Sequence, residues 1–146
     1  MNERDSSLTY TPIMYACKFG RLDTIKCLVE NGANANHRFD NGFTSLHSLC
    51  RQGYDLKTIK CLIENGADID MRDSQGKVPL HYACVGGDYT PIADLETVKY
   101  LVENGADVNA MDAFGKTPFD IAREEGNSGM VDYLKHKNVK RFKTSE

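Results

Sequence analysis

Glu30-Asn31-Gly32-Ala33, Glu64-Asn65-Gly66-Ala67 and Glu103-Asn104-Gly105-Ala106 are one tetrapeptide written three times, at intervals of 34 and 39 residues. A second series runs ahead of it: Thr11-Pro12-Ile13-Met14, Thr44-Ser45-Leu46-His47, Val78-Pro79-Leu80-His81 and Thr117-Pro118-Phe119-Asp120, at intervals of 33, 34 and 39. Two interleaved series that keep pace with each other constrain the chain more than any composition does. A period of about 20–50 residues signals a stack of supersecondary units, none of which can bury its apolar face alone.

One unit shows the local physics. Thr11 offers a side-chain oxygen that caps a helix, and Pro12 stands where its missing N–H costs nothing. Ile13, Ala16 and Cys17 follow at helical spacing, and Gly20 ends this first helix. Ile25, Leu28 and Val29 share one face of a second helix, which Asn31-Gly32 ends. Asn-Gly is also a favoured hairpin dipeptide, but after an apolar run of period 3.6 it predicts a left-handed helix C-cap. Helices of about two turns are too short to persist alone in water, so neighbouring units must stack.

This pattern resembles the ankyrin repeat. The third unit carries its motifs most fully: Pro79-Leu80-His81-Tyr82-Ala83, Gly105-Ala106-Asp107-Val108-Asn109 and Asp112-Ala113-Phe114-Gly115. The resemblance covers about residues 8–135, with repeats at about 8–41, 42–75, 76–114 and 115–135. A polar N-terminal segment, residues 1–7, precedes them and a basic tail, residues 136–146, follows. It implies an all-α solenoid of stacked helix-turn-helix pairs with projecting β-hairpin fingers. Three departures stand out. Val78 replaces a capping Thr, repeat 2 has one extra residue near Gln52-Gly53-Tyr54-Asp55, and repeat 3 has about six between Gly87 and Asp94.

Cys17, Cys50 and Cys84 share one repeat position, and Cys27 and Cys61 share another. Equivalent positions on stacked helices lie about 8–10 Å apart, beyond the usual disulfide reach of about 7 Å. The cysteines are therefore expected to be free packing residues in a reducing compartment, with no disulfide and no metal. His47 and His81 fall on the motif histidine, which the resemblance makes a structural hydrogen-bonding residue. No Ser/His/Asp order, phosphate loop or carboxylate pair emerges, so no catalytic residues, no cofactor and no small-molecule substrate are expected.

In ankyrin proteins the fingers and the inner side of the first helices contact the partner. The resemblance thus implies a non-catalytic protein–protein interaction module, an adaptor or inhibitor, whose contacts lie on the concave side. The candidate partner-binding residues are Tyr15, Phe19, Phe39, Asp40, Phe43, Arg51, Lys77, Tyr82, Phe114 and Lys116. Four of the six Phe occupy such positions, and bare aromatics are typical of binding hot spots. The alternative is that these rings pack between adjacent fingers. Asp40, Asp73 and Asp112 flank them, which points to a partner with basic groups unless these acids serve the turns. The repeat-3 insertion, with Tyr89, Pro91 and Ile92, is either a bland loop or a second contact.

Two rival functions remain. Asn109, with Leu101 eight residues before it, matches the asparagine that is hydroxylated in some ankyrin proteins, which would make this chain a hydroxylase substrate. The tail carries Lys135, Lys137, Lys140, Arg141 and Lys143, a candidate for nucleic-acid or membrane-surface binding. The formal net charge of −3 argues against nucleic acid as the main partner. A polar start, Met1-Asn2-Glu3-Arg4-Asp5, and no long apolar run predict no secretory signal and no membrane span. The expected setting is a cytoplasmic monomer, with Lys140-Arg141-Phe142-Lys143 as a loose nuclear-import pattern.

Overall fold

The computed structural model describes residues 11–38, 41–52, 56–85 and 95–145, with side chains described to residue 137. Its elements are α1 (Pro12–Lys18), α2 (Leu22–Glu30), α3 (Ser45–Gln52), α4 (Leu56–Glu64), α5 (Pro79–Ala83), α6 (Leu95–Glu103), α7 (Pro118–Glu124) and α8 (Ser128–Ser145). Each odd helix packs on the even helix that follows it, and α1, α3, α5 and α7 stack in series. The described residues form four helix pairs in one array.

The starts and ends of the helices follow from side chains. Thr11 Oγ1 accepts the Met14 N–H at 3.3 Å, and Thr117 Oγ1 accepts the Asp120 N–H at 3.2 Å. Pro12, Pro79 and Pro118 open α1, α5 and α7. At the end of α4, Gly66 takes φ +102°, which lets the Ala67 N–H reach back to Leu62 O at 3.0 Å. A side chain with a Cβ is strained there. The preceding Asn contributes as well: Asn31, Asn65 and Asn104 each donate a side-chain N–H to the carbonyl four residues earlier, at 2.7, 2.8 and 2.8 Å. The tetrapeptide is therefore a two-part helix stop.

Ile25, Leu46, Leu49, Ile59, Leu62, Leu80, Val98 and Leu101 are buried in a core that runs the length of the array. Burial of each such side chain contributes about 1.5–3 kcal/mol. Ala16, Cys17, Cys50, Ala83, Cys84 and Ala122 are also buried, small residues that let stacked first helices approach. Met130 and Leu134 close the core from α8. That helix starts at Ser128, because Asn127 Oδ1 accepts the Met130 N–H at 3.1 Å. It continues through the basic segment to Ser145.

The expected β-hairpin fingers are absent, because the described residues contain no strand. Tight turns take their place. At 73–77 the Asp73 N–H donates to Lys77 O at 3.0 Å and the Gly76 N–H to Asp73 O at 2.9 Å. The turn at 112–116 repeats this at 2.9 and 3.0 Å. Asp73 Oδ1 takes the N–H groups of Gln75 and Lys77, and Asp112 Oδ1 those of Phe114 and Lys116. With these donors consumed by the aspartates, no ladder remains to be built. The free donors point sideways instead: Ser74 N–H to Asn41 O at 2.7 Å, and Ala113 N–H to Gln75 O at 2.8 Å. Gly76 marks how closely the turns stack, since a Cβ there would stand 3.0 Å from Ala113 N.

Candidate functional site

The side formed by the first helices and the turns is held by the motif histidines. The Thr44 N–H donates to His47 Nδ1 at 3.0 Å, and the Val78 N–H to His81 Nδ1 at 3.0 Å. An acceptor at Nδ1 places the proton on Nε2, which then donates to Lys77 O and Lys116 O respectively, each at 2.9 Å. Each histidine thus ties its own helix start to the next turn. Burial pulls both below the ordinary value of 6.5, so both are neutral. With both nitrogens occupied by backbone, neither is available for proton transfer.

Arginine arms repeat the tie farther out. Arg38 donates through Nη2 to Arg72 O. Arg72 donates through Nη1 to Gly76 O at 2.9 Å and Met111 O at 2.8 Å. Between the even helices and the turns, Asn36 Nδ2 donates to Gly66 O at 2.9 Å while its Oδ1 accepts the Asp68 N–H at 2.7 Å. Asp70 Oδ1 accepts the Asp107 N–H at 3.1 Å in the same register. The sequence marks these positions by repetition but gives no sign of their partners, which lie 30–39 residues away.

Three of the candidate rings are exposed. Tyr15 is 50% exposed, Phe19 54% and Phe114 74%. Phe19 has the Lys18 ammonium 5.8 Å from its ring centre. Phe43 and Tyr82 are half-buried and come together around His47. Phe43 stacks on His47 at 5.1 Å between ring centres and meets Tyr82 edge-on at 5.4 Å. The Arg51 guanidinium lies 5.9 Å from the Phe43 ring centre, and the Lys77 ammonium 5.7 Å from that of Tyr82. Tyr82 donates its hydroxyl to Asp73 Oδ2 at 2.5 Å. Burial, that bond and the Asp73 charge all push the phenol pKa upward. Lys116 pairs with Glu124 at 2.6 Å, with 42% and 51% of the two side chains exposed, a surface pair of small energetic weight.

Asp73 and Asp112 serve the turns, where their carboxylates accept backbone N–H groups and, at Asp73, the Tyr82 hydroxyl. Asp112 is buried, which disfavours its charge, but the N–H groups of Lys116 and Phe114 outweigh this and hold its pKa low. Phe39 and Asp40, and the loop with Tyr89, Pro91 and Ile92, lie outside the described residues. Asn109 is half-buried, with its backbone N–H bonded to Asp107 Oδ1 at 2.9 Å. All five cysteines are free thiols, four buried and Cys27 exposed. Burial pushes the thiols of Cys17 and Cys84 up to about 12. Among the described residues no cluster of His, Cys, Asp or Glu could hold a metal ion, and no helix is long and apolar enough to cross a membrane.

The family model for ankyrin repeats, three copies, matches residues 1–73 and 49–143. This chain is an ankyrin-repeat protein. The match spans most of its length and the four stacked helix pairs agree with it. No curated protein matches the chain. In this ankyrin-repeat array the turns carry the register between units, and the exposed rings stand on α1 (Tyr15), at its end (Phe19) and on the turn at 112–116 (Phe114).

Proposed function

We propose that this ankyrin-repeat protein is a non-catalytic module that binds a partner protein across its first helices and turns, as an adaptor or inhibitor. The observation that carries this reading is the set of exposed rings Tyr15, Phe19 and Phe114 on that side of the array. Large apolar side chains left in water are costly in isolation and typical of interface anchors. The rigid frame beneath them supports the same reading, because pre-ordered contacts lose little entropy on binding. Engagement of both nitrogens of His47 and His81 speaks against chemistry at the motif histidines. A cytoplasmic setting is proposed with it, on cysteines used as packing residues.

A photo-crosslinking side chain installed at Phe19 or Phe114 tests the face directly, with Glu30 on the second helix of repeat 1 as the comparison position. One discrete partner band from the first two positions and none from Glu30 is expected in extracts of the native cell. Equal crosslinking from all three, or crosslinking from Glu30 alone, would move the binding face to the other side.

A further inference from the structure

Three acidic groups of the first-helix side, Asp73, Asp112 and Asp120, are already engaged in hydrogen bonds. Asp73 holds two N–H groups with Oδ1 and the Tyr82 hydroxyl with Oδ2. Asp112 holds the next turn, and Asp120 Oδ2 accepts the Thr117 N–H at 3.0 Å at the start of α7. The basic groups on this side are differently placed. Arg51 and Lys77 lie over Phe43 and Tyr82, and form no ion pair among the described residues. Since Phe43 and Tyr82 touch, the two cations flank a single aromatic ridge.

The distribution along the helices points the same way. α1, α3 and α5 contain Lys18 and Arg51 and not one Asp or Glu. Asp23, Glu30, Glu64, Glu96 and Glu103 sit on α2, α4 and α6, where Lys26, Lys57, Lys60 and Lys99 accompany them. In the first three repeats the helical carboxylates thus lie on the second helices, and the acids beside the ridge are those of the turns, Asp73 and Asp112. On the second helices acids and lysines nearly balance, whereas at the ridge Arg51 and Lys77 are cations outside any ion pair among the described residues, so an acidic partner is drawn to the ridge.

We propose that the ridge of Phe43 and Tyr82, with Arg51 and Lys77 on its flanks, docks an acidic peptide segment of the partner that also carries an apolar side chain. Carboxylates of the segment meet the guanidinium and the ammonium, and the apolar side chain lies on the rings. Arg51 suits this role because its planar fork binds a carboxylate through two parallel N–H donors. The inference rests on the protein-binding reading above and specifies the chemistry of its partner.

The test is selection of a random peptide library on the full chain, followed by titration of a synthetic consensus peptide. Enrichment of Asp and Glu next to Leu, Ile or Phe is expected. Affinity should fall at least about tenfold in Arg51→Glu with Lys77→Glu, equivalent to about 1.4 kcal/mol, and persist in Lys77→Arg, which keeps the charge and the Arg51 fork. It should also weaken as NaCl rises from about 50 to 300 mM. If the reversed pair melts below wild type, Arg51→Gln with Lys77→Gln gives the same reading with the side-chain stems retained. Peptides that lose binding in Phe19→Ala yet show no acidic enrichment would overturn the charge assignment and leave the face in place. Peptides indifferent to every one of these variants would overturn both. A single-stranded oligonucleotide that binds the ridge more tightly than the consensus peptide would also overturn the proposal.

Discussion

His47 and His81 are the residues whose chemistry most directly touches stability. Their folded pKa values lie below the ordinary 6.5, with burial as the main cause. As pH falls, the unfolded chain takes up these protons first, so the stabilisation is complete above about 6.5 and declines below it. At pH 5.5 the loss is at most about 1.4 kcal/mol per histidine, and urea midpoints between pH 7.5 and 5.5 will measure it. His81→Asn should flatten that slope, and an unchanged slope would show that His81 titrates normally. Val78 offers a second residue-scale expectation. It is 1% exposed, yet the equivalent Thr44, 2% exposed, places its Oγ1 2.8 Å from His47 Nδ1 and 3.4 Å from the His47 N–H. A hydroxyl at 78 would find the same two partners on His81. Val78→Thr should therefore raise stability by about 0.5–1.5 kcal/mol. A denaturant midpoint that stays level or drops would mean that the lost methyl packing matters more. Among the thiols, Cys27 should react with a disulfide reagent at once in the native protein. Cys17, Cys50, Cys61 and Cys84 should wait for unfolding. Rapid modification of more than one thiol per native chain would contradict the burial described.

At the scale of elements, the repeat is a helix pair plus a device that couples it to the next pair. Asn36 shows how much of that coupling one side chain carries, since it both donates to Gly66 O and accepts from the Asp68 N–H. Asn36→Ala should lower stability by about 1–2 kcal/mol, because the backbone groups left behind lose their partners in a part-exposed site. Asn36→Asp keeps the acceptor and loses the donor, and should fall between the two. Equal midpoints for all three proteins would show that water replaces both bonds. The helices themselves were readable in the chain. Thr11 and Thr117 cap, the prolines open, and Glu-Asn-Gly-Ala closes, all through contacts within about one helical turn. The turns were not readable in the same way. Asp-x-x-Gly followed by Lys, as at Asp73 and Asp112, fits a hairpin tip as well as a closed turn. Only the sideways bonds to Asn41 O and Gln75 O decide between them, and those join residues more than 30 positions apart. The same distance hid the Arg38 and Arg72 arms and the two bonds of Asn36. Repetition disclosed that these positions matter without disclosing what they touch.

For the whole molecule the question is which rings hold the array together and which are left for a partner. A solenoid gains its stability from units and from the seams between neighbours, so a ring in a seam is felt by the entire stack. Sequence alone groups Phe43 with Phe19 as exposed binding residues. The structure separates them. Phe43 joins repeats 2 and 3 through His47 and Tyr82, whereas Phe19 stands 54% exposed at the end of α1 with the Lys18 ammonium beside its ring. Phe43→Ala should therefore lower stability by about 1–3 kcal/mol, less than the loss for a fully buried Phe because one side of the ring faces Arg51. A double-mutant cycle with Tyr82→Ala should return a coupling of about 0.5–1.5 kcal/mol, the range for an edge-on aromatic pair in contact. Phe19→Ala should leave the melt within about 0.5 kcal/mol of wild type and weaken binding to the crosslinked partner by more than about 1 kcal/mol. Thermal melts and titrations of the same three variants measure both quantities. If Phe43→Ala melts as wild type does, the ring is not a seam residue and belongs with Phe19. If Phe19→Ala destabilises the fold instead, the ring is part of the N-terminal packing. The binding side would then reduce to the ridge over α3 and α5 and to Phe114 at the far end of the turns.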